Sequence, residues 1–276
     1  MTQRSPINRL DITAAWSTAA RMVAVNRDVL LAIAGVFFLL PMLVLLLLVP
    51  APVIADGASA QAARDAALKA YADAAPWILL LSLPQMAGIL TALNVMTDTG
   101  RPTVGEAIRR SGLGALTYAG AQLLLGLALG LALSAAGIVA AAAGVAAIKV
   151  LALAVAAIAL ALVMIRCCLV APVIVAEGER NPARTLQRSW ALTQGNGARI
   201  LAFLVLALVL FVVIQSVLAN LAMLGFALIP AANVRTVLDA LVESAVSAVG
   251  MVYLAAILGA IHLQLEQGRS VGRTAG

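Results

Sequence analysis

Charge is scarce in this sequence. Only 11% of its 276 residues are Asp, Glu, Lys or Arg, where a soluble domain carries about 25%. Aromatic residues are few, at 4%, while 63% of the chain is hydrophobic. So much apolar mass cannot be hidden in one soluble core. Ala, Leu and Val supply it in long runs, which excludes a transmembrane β-barrel with its ~10-residue segments of alternating polarity. Small apolar side chains suit helices that approach one another closely in lipid. Histidine is limited to His262, and cysteine to Cys167 and Cys168. Two adjacent cysteines inside an apolar run offer neither a disulfide framework nor a metal-binding spacing, and both read as small core residues. No P-loop, nucleophile elbow or His-Glu-x-x-His motif occurs. The fold class expected is all-α, a polytopic membrane protein forming one domain over residues 1–276.

A spanning helix needs ~20 apolar residues, and the runs supply six. They cover Val29 to Val49, Pro76 to Met96, Leu113 to Ala135, Val150 to Ala176, Ile200 to Leu221 and Ala240 to Leu263. The first run is too long for the 7–15-residue apolar core of a cleaved leader, so none is expected. Segment 56–75 is Ala-rich with interspersed charge and reads as a short helix on the outer face. The net charge of +6 is unevenly placed. Thirteen Lys and Arg residues fall before span one, after spans two and four, and in the C-terminal tail; four fall on the other side. That asymmetry is a topology signal and argues against nucleic acid as a partner. By the positive-inside rule it puts both termini in the cytoplasm.

The segments on the basic side resemble one another. Gly100-Arg-Pro-Thr103-Val-Gly-Glu-Ala-Ile108-Arg-Arg110-Ser111 aligns with Gly178-Glu-Arg-Asn181-Pro-Ala-Arg-Thr-Leu186-Gln-Arg188-Ser189 at a constant offset of 78. Thr103 and Asn181 are helix N-caps by type, each with an oxygen for a free first-turn N–H, and Thr103 has the capping-box spacing to Glu106. Pro182 suits a first helical position. A weaker third copy begins at Asp11, since Asp11 and Asn26 precede Asn181 and Asn196 by 170. The chain therefore reads as three units, each an interfacial helix (11–24, 103–111, 181–194) followed by a transmembrane hairpin. In the last of these helices Leu186 and Trp190 share one face and Arg184 and Arg188 another. Helices of that kind lie in the interface with Arg toward anionic headgroups. The candidate headgroup contacts are Arg109, Arg110, Arg184, Arg188 and Trp190.

The stretch from Leu169 to Asn196, with Glu177-Gly178, then Arg188-Ser189-Trp190 and Thr193-Gln-Gly195-Asn196, resembles a signature of the membrane domain associated with some glycerophosphoryl diester phosphodiesterases and of the related YciC-type inner-membrane family. The Leu10-Asp-Ile12 start and the Tyr253 to Leu265 end are similar as well. The resemblance implies a helical protein of the bacterial inner membrane. It does not imply phosphodiesterase activity, which needs a soluble barrel with paired histidines and metal-binding carboxylates that this chain has no segment to supply. His262 reads as an interfacial residue.

Polar groups within spans invite a functional reading. On a straight helix Arg166 lies ten residues inward from Ala176, about 15 Å at 1.5 Å per residue, near the bilayer centre. Gln122 falls at similar depth, and Glu243 is the one acid well inside span six. These three form the candidate intramembrane polar site. Gly126 and Gly130 make a small-xxx-small pair, and Pro41, Pro84 and Pro172 lie within spans. No catalytic residue, metal ligand or cofactor is expected, and the chain does not read as an enzyme. The function expected is a non-enzymatic membrane scaffold or envelope-maintenance component; the alternative is a transporter or lipid-handling protein using Arg166. The partners expected are the bilayer, with anionic headgroups at the cytoplasmic face, and a second copy or another membrane protein.

Overall fold

The computed structural model of the chain describes residues 9–49, 57, 59–97, 104–142 and 145–274. Every element among them is helical. Six stretches are long and apolar enough to cross a membrane: Arg27–Leu48, Ala60–Thr97, Ser111–Ala142, Ala146–Glu177, Gly197–Phe226 and Ala232–Gly268. The protein is thus an all-α, multi-pass membrane protein, with its spans where the apolar runs place them.

Helix α1 (Ile12–Val25) is capped by Asp11, whose carboxylate accepts from the Ala14 N–H at 3.0 Å. The chain turns at Asn26 and enters span one as α2 (Arg27–Ile33), a π-helical stretch (Ala34–Leu39) and α3 (Leu40–Leu48). The wide turn sits directly before Pro41. The Leu40 N–H reaches back five residues to the Gly35 carbonyl, and Pro41 has no N–H to give. Helix α4 (Ala60–Thr97) and α5 (Val104–Ala142) form the second and third spans. The fourth span breaks into α6 (Ala146–Cys167) and the short α7 (Val170–Glu177). Then α8 (Pro182–Thr193) precedes α9 (Gly197–Phe226), and α10 (Ala232–Thr274) closes the chain.

Two expectations of separate surface helices are corrected. The outer segment 56–75 joins span two in one helix over Ala60–Thr97, which continues through Pro76; residues 56 and 58 lie outside the described residues. The segment 103–111 is likewise no separate helix. From Val104 it is the first two turns of α5, and Thr103 with its capping box lies outside the described residues. The first and third units do have a break. Asn26 (φ −111°, ψ 17°) and Asn196 (φ −117°, ψ 3°) adopt nearly the same backbone, each directly before a span. The 170-residue offset therefore relates matching turns.

The Asp11 N–H donates to Gln264 Oε1 at 3.1 Å, so the start of α1 and the end of α10 share one face, the basic one. The core gathers there. It draws on Ala15 and Ala19 of α1, Leu30 to Phe38 of span one, Leu90 to Met96 at the end of α4, Val170 to Ile174 of α7, and Ala248 to Leu265 of α10. Toward the other face most residues from Leu123 to Leu162 are exposed, leaving Leu, Val and Ile side chains for lipid tails.

Close helix approach occurs elsewhere than at Gly126 and Gly130, neither of which has anything within 4 Å of a Cβ position. A Cβ on Gly88 would stand 2.5 Å from Phe37 Cβ and 2.9 Å from Phe38 Cε1, and one on Gly250 would strike the Phe211 ring. An aromatic of the first helix thus seats on a glycine of the second in both the first and the last hairpin. Gly88→Val and Gly250→Val are each expected to destabilise the protein by about 1–3 kcal/mol through overpacking, read as a lower melting temperature in lipid nanodiscs. Gly126→Val should melt with the parent; an equal loss there would contradict this account.

Candidate functional site

The polar chemistry of the basic face centres on the break in span four. Pro172 gives no N–H to the carbonyl of Cys168, and its ring crowds that carbonyl. The helix accordingly stops at Cys167 and resumes at Val170. The freed backbone groups find a side-chain partner. Ser189 Oγ donates to the Arg166 carbonyl at 2.8 Å and accepts from the Leu169 N–H at 3.1 Å. Thr193 Oγ1 adds a longer bond to the same carbonyl, 3.4 Å.

A tight reversal brings Ser189 there. Gly178 ends α7 in the left-handed region, at φ 65°, where only glycine rests without strain. Glu179 Oε1 accepts from the N–H groups of Arg180 and Asn181, both at 2.9 Å. Asn181 Oδ1 then caps α8 through Ala183 and Arg184, at 2.9 and 3.2 Å. Thr117 of α5 donates to the Arg180 carbonyl at 3.1 Å and ties the loop to span three. Helix α8 therefore runs back along α7. Its most buried residues are Thr185, Ser189, Leu192 and Thr193, whereas Leu186 is partly buried and Trp190 is exposed. The face read from the sequence as apolar is displaced by a hydroxyl-bearing one, because the broken backbone opposite needs hydrogen-bond partners.

Arg166 is tied to α8. The ten residues from Ala176 cross the break, and the Arg166 carbonyl is bonded to the helix that carries Arg184 and Arg188. Its guanidinium lies over the Trp190 ring, 5.7 Å from the centroid, a cation–π distance. Its Nη1 is buried without a hydrogen-bond partner. Gln122 bonds instead to Tyr118 Oη at 3.3 Å. Glu243 is exposed and lies 19 residues before His262, about 28 Å along α10. Among the described residues no hydrogen bond or ion pair joins Arg166 to Gln122 or Glu243.

A second cluster forms where α7, α8 and α10 meet. Glu177 is the last residue of α7, and His262 and Glu266 stand one turn apart on α10. Arg188 Nε donates to both oxygens of Glu177, at 2.9 and 2.7 Å, and Arg188 Nη2 lies 3.6 Å from Glu266 Oε1. His262 is 1% exposed, a buried imidazole. Its Nε2 is 3.4 Å from Glu177 Oε1 and its Nδ1 is 3.8 Å from Glu266 Oε2. One ligand atom from each of Glu177, His262 and Glu266 can lie within 4.8 Å of the others, a spacing that suits a metal ion. The sequence shows the i, i+4 pair on α10 but not that Glu177, 85 residues earlier, completes it.

Of the candidate headgroup contacts, Arg109 and Arg184 are exposed and make no ion pair among the described residues. Arg188 is committed to carboxylates. The side chain of Arg110 lies outside the described residues. Compared with family models, curated proteins and solved structures, the chain matches none.

Ser189→Ala removes two bonds across the break, taking the Leu169 N–H from its side-chain partner and leaving the Arg166 carbonyl only the longer bond from Thr193. The expected loss is about 1–3 kcal/mol, with faster amide exchange at Leu169 by mass spectrometry. Unchanged exchange at Leu169 would show that the break does not depend on Ser189.

Proposed function

We propose that the chain is a non-enzymatic component of the bacterial inner membrane, a scaffold or envelope-maintenance protein, with both termini in the cytoplasm and its basic face resting on anionic headgroups. The observation that carries this reading is where order is concentrated. The interfacial segments α1, the start of α5 and α8 are each held against span ends at the basic face, while Arg109 and Arg184 are exposed and make no ion pair among the described residues. Cations so placed gain about 1 kcal/mol each near an anionic leaflet. The distribution of Lys and Arg supports the orientation, and the resemblance of residues 169–196 to the YciC-type family supports the compartment.

A second reading, lipid handling or transport, draws on one feature. Arg166 has a buried Nη1 with no partner and a neighbouring exposed Trp190. A headgroup phosphate would satisfy the guanidinium while the indole meets the acyl boundary.

Topology is tested with reporters. One fused after Gly276 should read cytoplasmic and one inserted at Gly57 external; the reverse would remove the orientation. Arg109→Glu with Arg184→Glu is expected to reduce anionic lipid retained on purification, measured by native mass spectrometry against the parent, and unchanged retention would refute the headgroup role. Loss of one defined lipid in Arg166→Leu alone would favour the second reading.

A further inference from the structure

We propose that Glu177, His262 and Glu266 form a binding site for a divalent transition-metal ion of the zinc type, and that Arg188 occupies its place when the metal is absent. This inference rests on the side-chain cluster and is independent of the function proposed above.

Three observations lead to it. The first is charge. Two carboxylates share one guanidinium beside a buried imidazole, an acid-rich setting that suits a divalent cation. The second is distance. The 3.4 Å from His262 Nε2 to Glu177 Oε1 is long for a hydrogen bond, whose usual range is about 2.7–3.2 Å. Two ligands of one tetrahedral zinc, each about 2.0–2.2 Å from the ion, stand about 3.3–3.5 Å apart. The pair therefore already has the spacing of one edge of a zinc site. The third is convergence. Each of the three residues offers one ligand atom, and all three lie within 4.8 Å of one another. His262 and Glu266 sit one helical turn apart on α10, and Glu177 is fixed at the end of α7 by the turn at Gly178.

The donor set selects the metal. One imidazole with two carboxylates suits zinc and its transition-metal neighbours, whereas magnesium favours an all-oxygen octahedron. With Nε2 on the ion beside Glu177, the Glu266 carboxylate would supply the third ligand atom. Three protein ligands leave a fourth position for water. The ion would cross-link the ends of spans four and six. Arg188, displaced from Glu177, would turn outward and join Arg184 on the basic face of α8.

The test uses the full-length protein in lipid nanodiscs, purified on a tag without histidine, and titrated with zinc by calorimetry and metal analysis after dialysis. One zinc per chain is expected, undisplaced by excess magnesium. Glu266→Gln and Glu177→Gln, and His262→Gln where it folds, should each weaken binding tenfold or more. Arg188→Gln should strengthen it severalfold, an effect that mere loss of an ion pair would not produce. Absence of stoichiometric zinc in the parent protein, binding that survives both Glu→Gln changes, or an Arg188→Gln variant no tighter than the parent would overturn the proposal.

Discussion

Inside a bilayer, a backbone N–H or C=O without a partner costs several kcal/mol, and no water is present to meet the need. That constraint explains more of this structure than any other. Pro172 interrupts the fourth span within a membrane-spanning stretch, and the chain must supply substitutes for the bonds it loses. It does so by folding the next helix back. Everything between Glu177 and Thr193 follows from that need: the left-handed turn at Gly178, the carboxylate of Glu179 gathering two N–H groups, the Asn181 cap, and the buried hydroxyls of Ser189 and Thr193 facing the break. Pro41 poses the same problem in span one and is met differently, by a π-helical turn that shifts the hydrogen-bond register just before the proline.

The backward packing of α8 has counterparts. Residues related by the offsets of 170 and 78 are Ala15, Ala107 and Thr185, and one turn on, Ala19, Ser111 and Ser189. All six are at most 3% exposed. Ser111 also ties its helix to the preceding span, accepting from Asn94 Nδ2 at 2.9 Å, as Ser189 does to Arg166 and Leu169. In the first unit the span that receives α1 is the last one in the chain. Trp16 stacks on Tyr253 at 6.3 Å, Asp11 meets Gln264, and Asn196 and Arg199 hold the backbone of Leu10. Small residues recur at these positions because each helix must lie close against another, and a larger side chain would hold them apart. The arrangement closes a ring, each basic-face helix resting on the span end before it.

This pattern shows which features were legible in the sequence. Apolar runs longer than a bilayer is thick are local facts, and all six spans lie where they indicate. Caps are local as well: Asp11 and Asn181 bond the N–H groups their spacing predicts. What failed were inferences that assumed breaks or isolation. Separate helices at 56–75 and 103–111 assumed breaks at Pro76 and Gly112, and the helices run through both. The apolar face of α8 was judged without its neighbour, and the neighbour offered unsatisfied backbone. Gly126 and Gly130 have the spacing of a contact motif, but the aromatic partners lie opposite Gly88 and Gly250. Glu177 and His262 come together only through the tertiary fold, which no local pattern encodes.

The uneven packing also bears on where activity can reside. Recognition needs side chains held in fixed relation, and a rotamer-rich side chain loses about 0.5–1.5 kcal/mol of freedom when it is immobilised on binding. At the outer ends of α5, α6 and α9 the chain presents Leu, Val and Ile to lipid tails, which solvate them as well as another helix would. Among the described residues there, the side-chain hydrogen bond of Asn220 stays within its own helix, to the Ser216 carbonyl. At the basic face the reverse holds. Arg166 is held by Trp190, Arg188 by Glu177, and His262 by burial between two acids. Pre-organised polar groups therefore gather in one layer, where the spans end and the interfacial helices begin. A ligand arriving from the aqueous side or from the headgroups would meet that layer first.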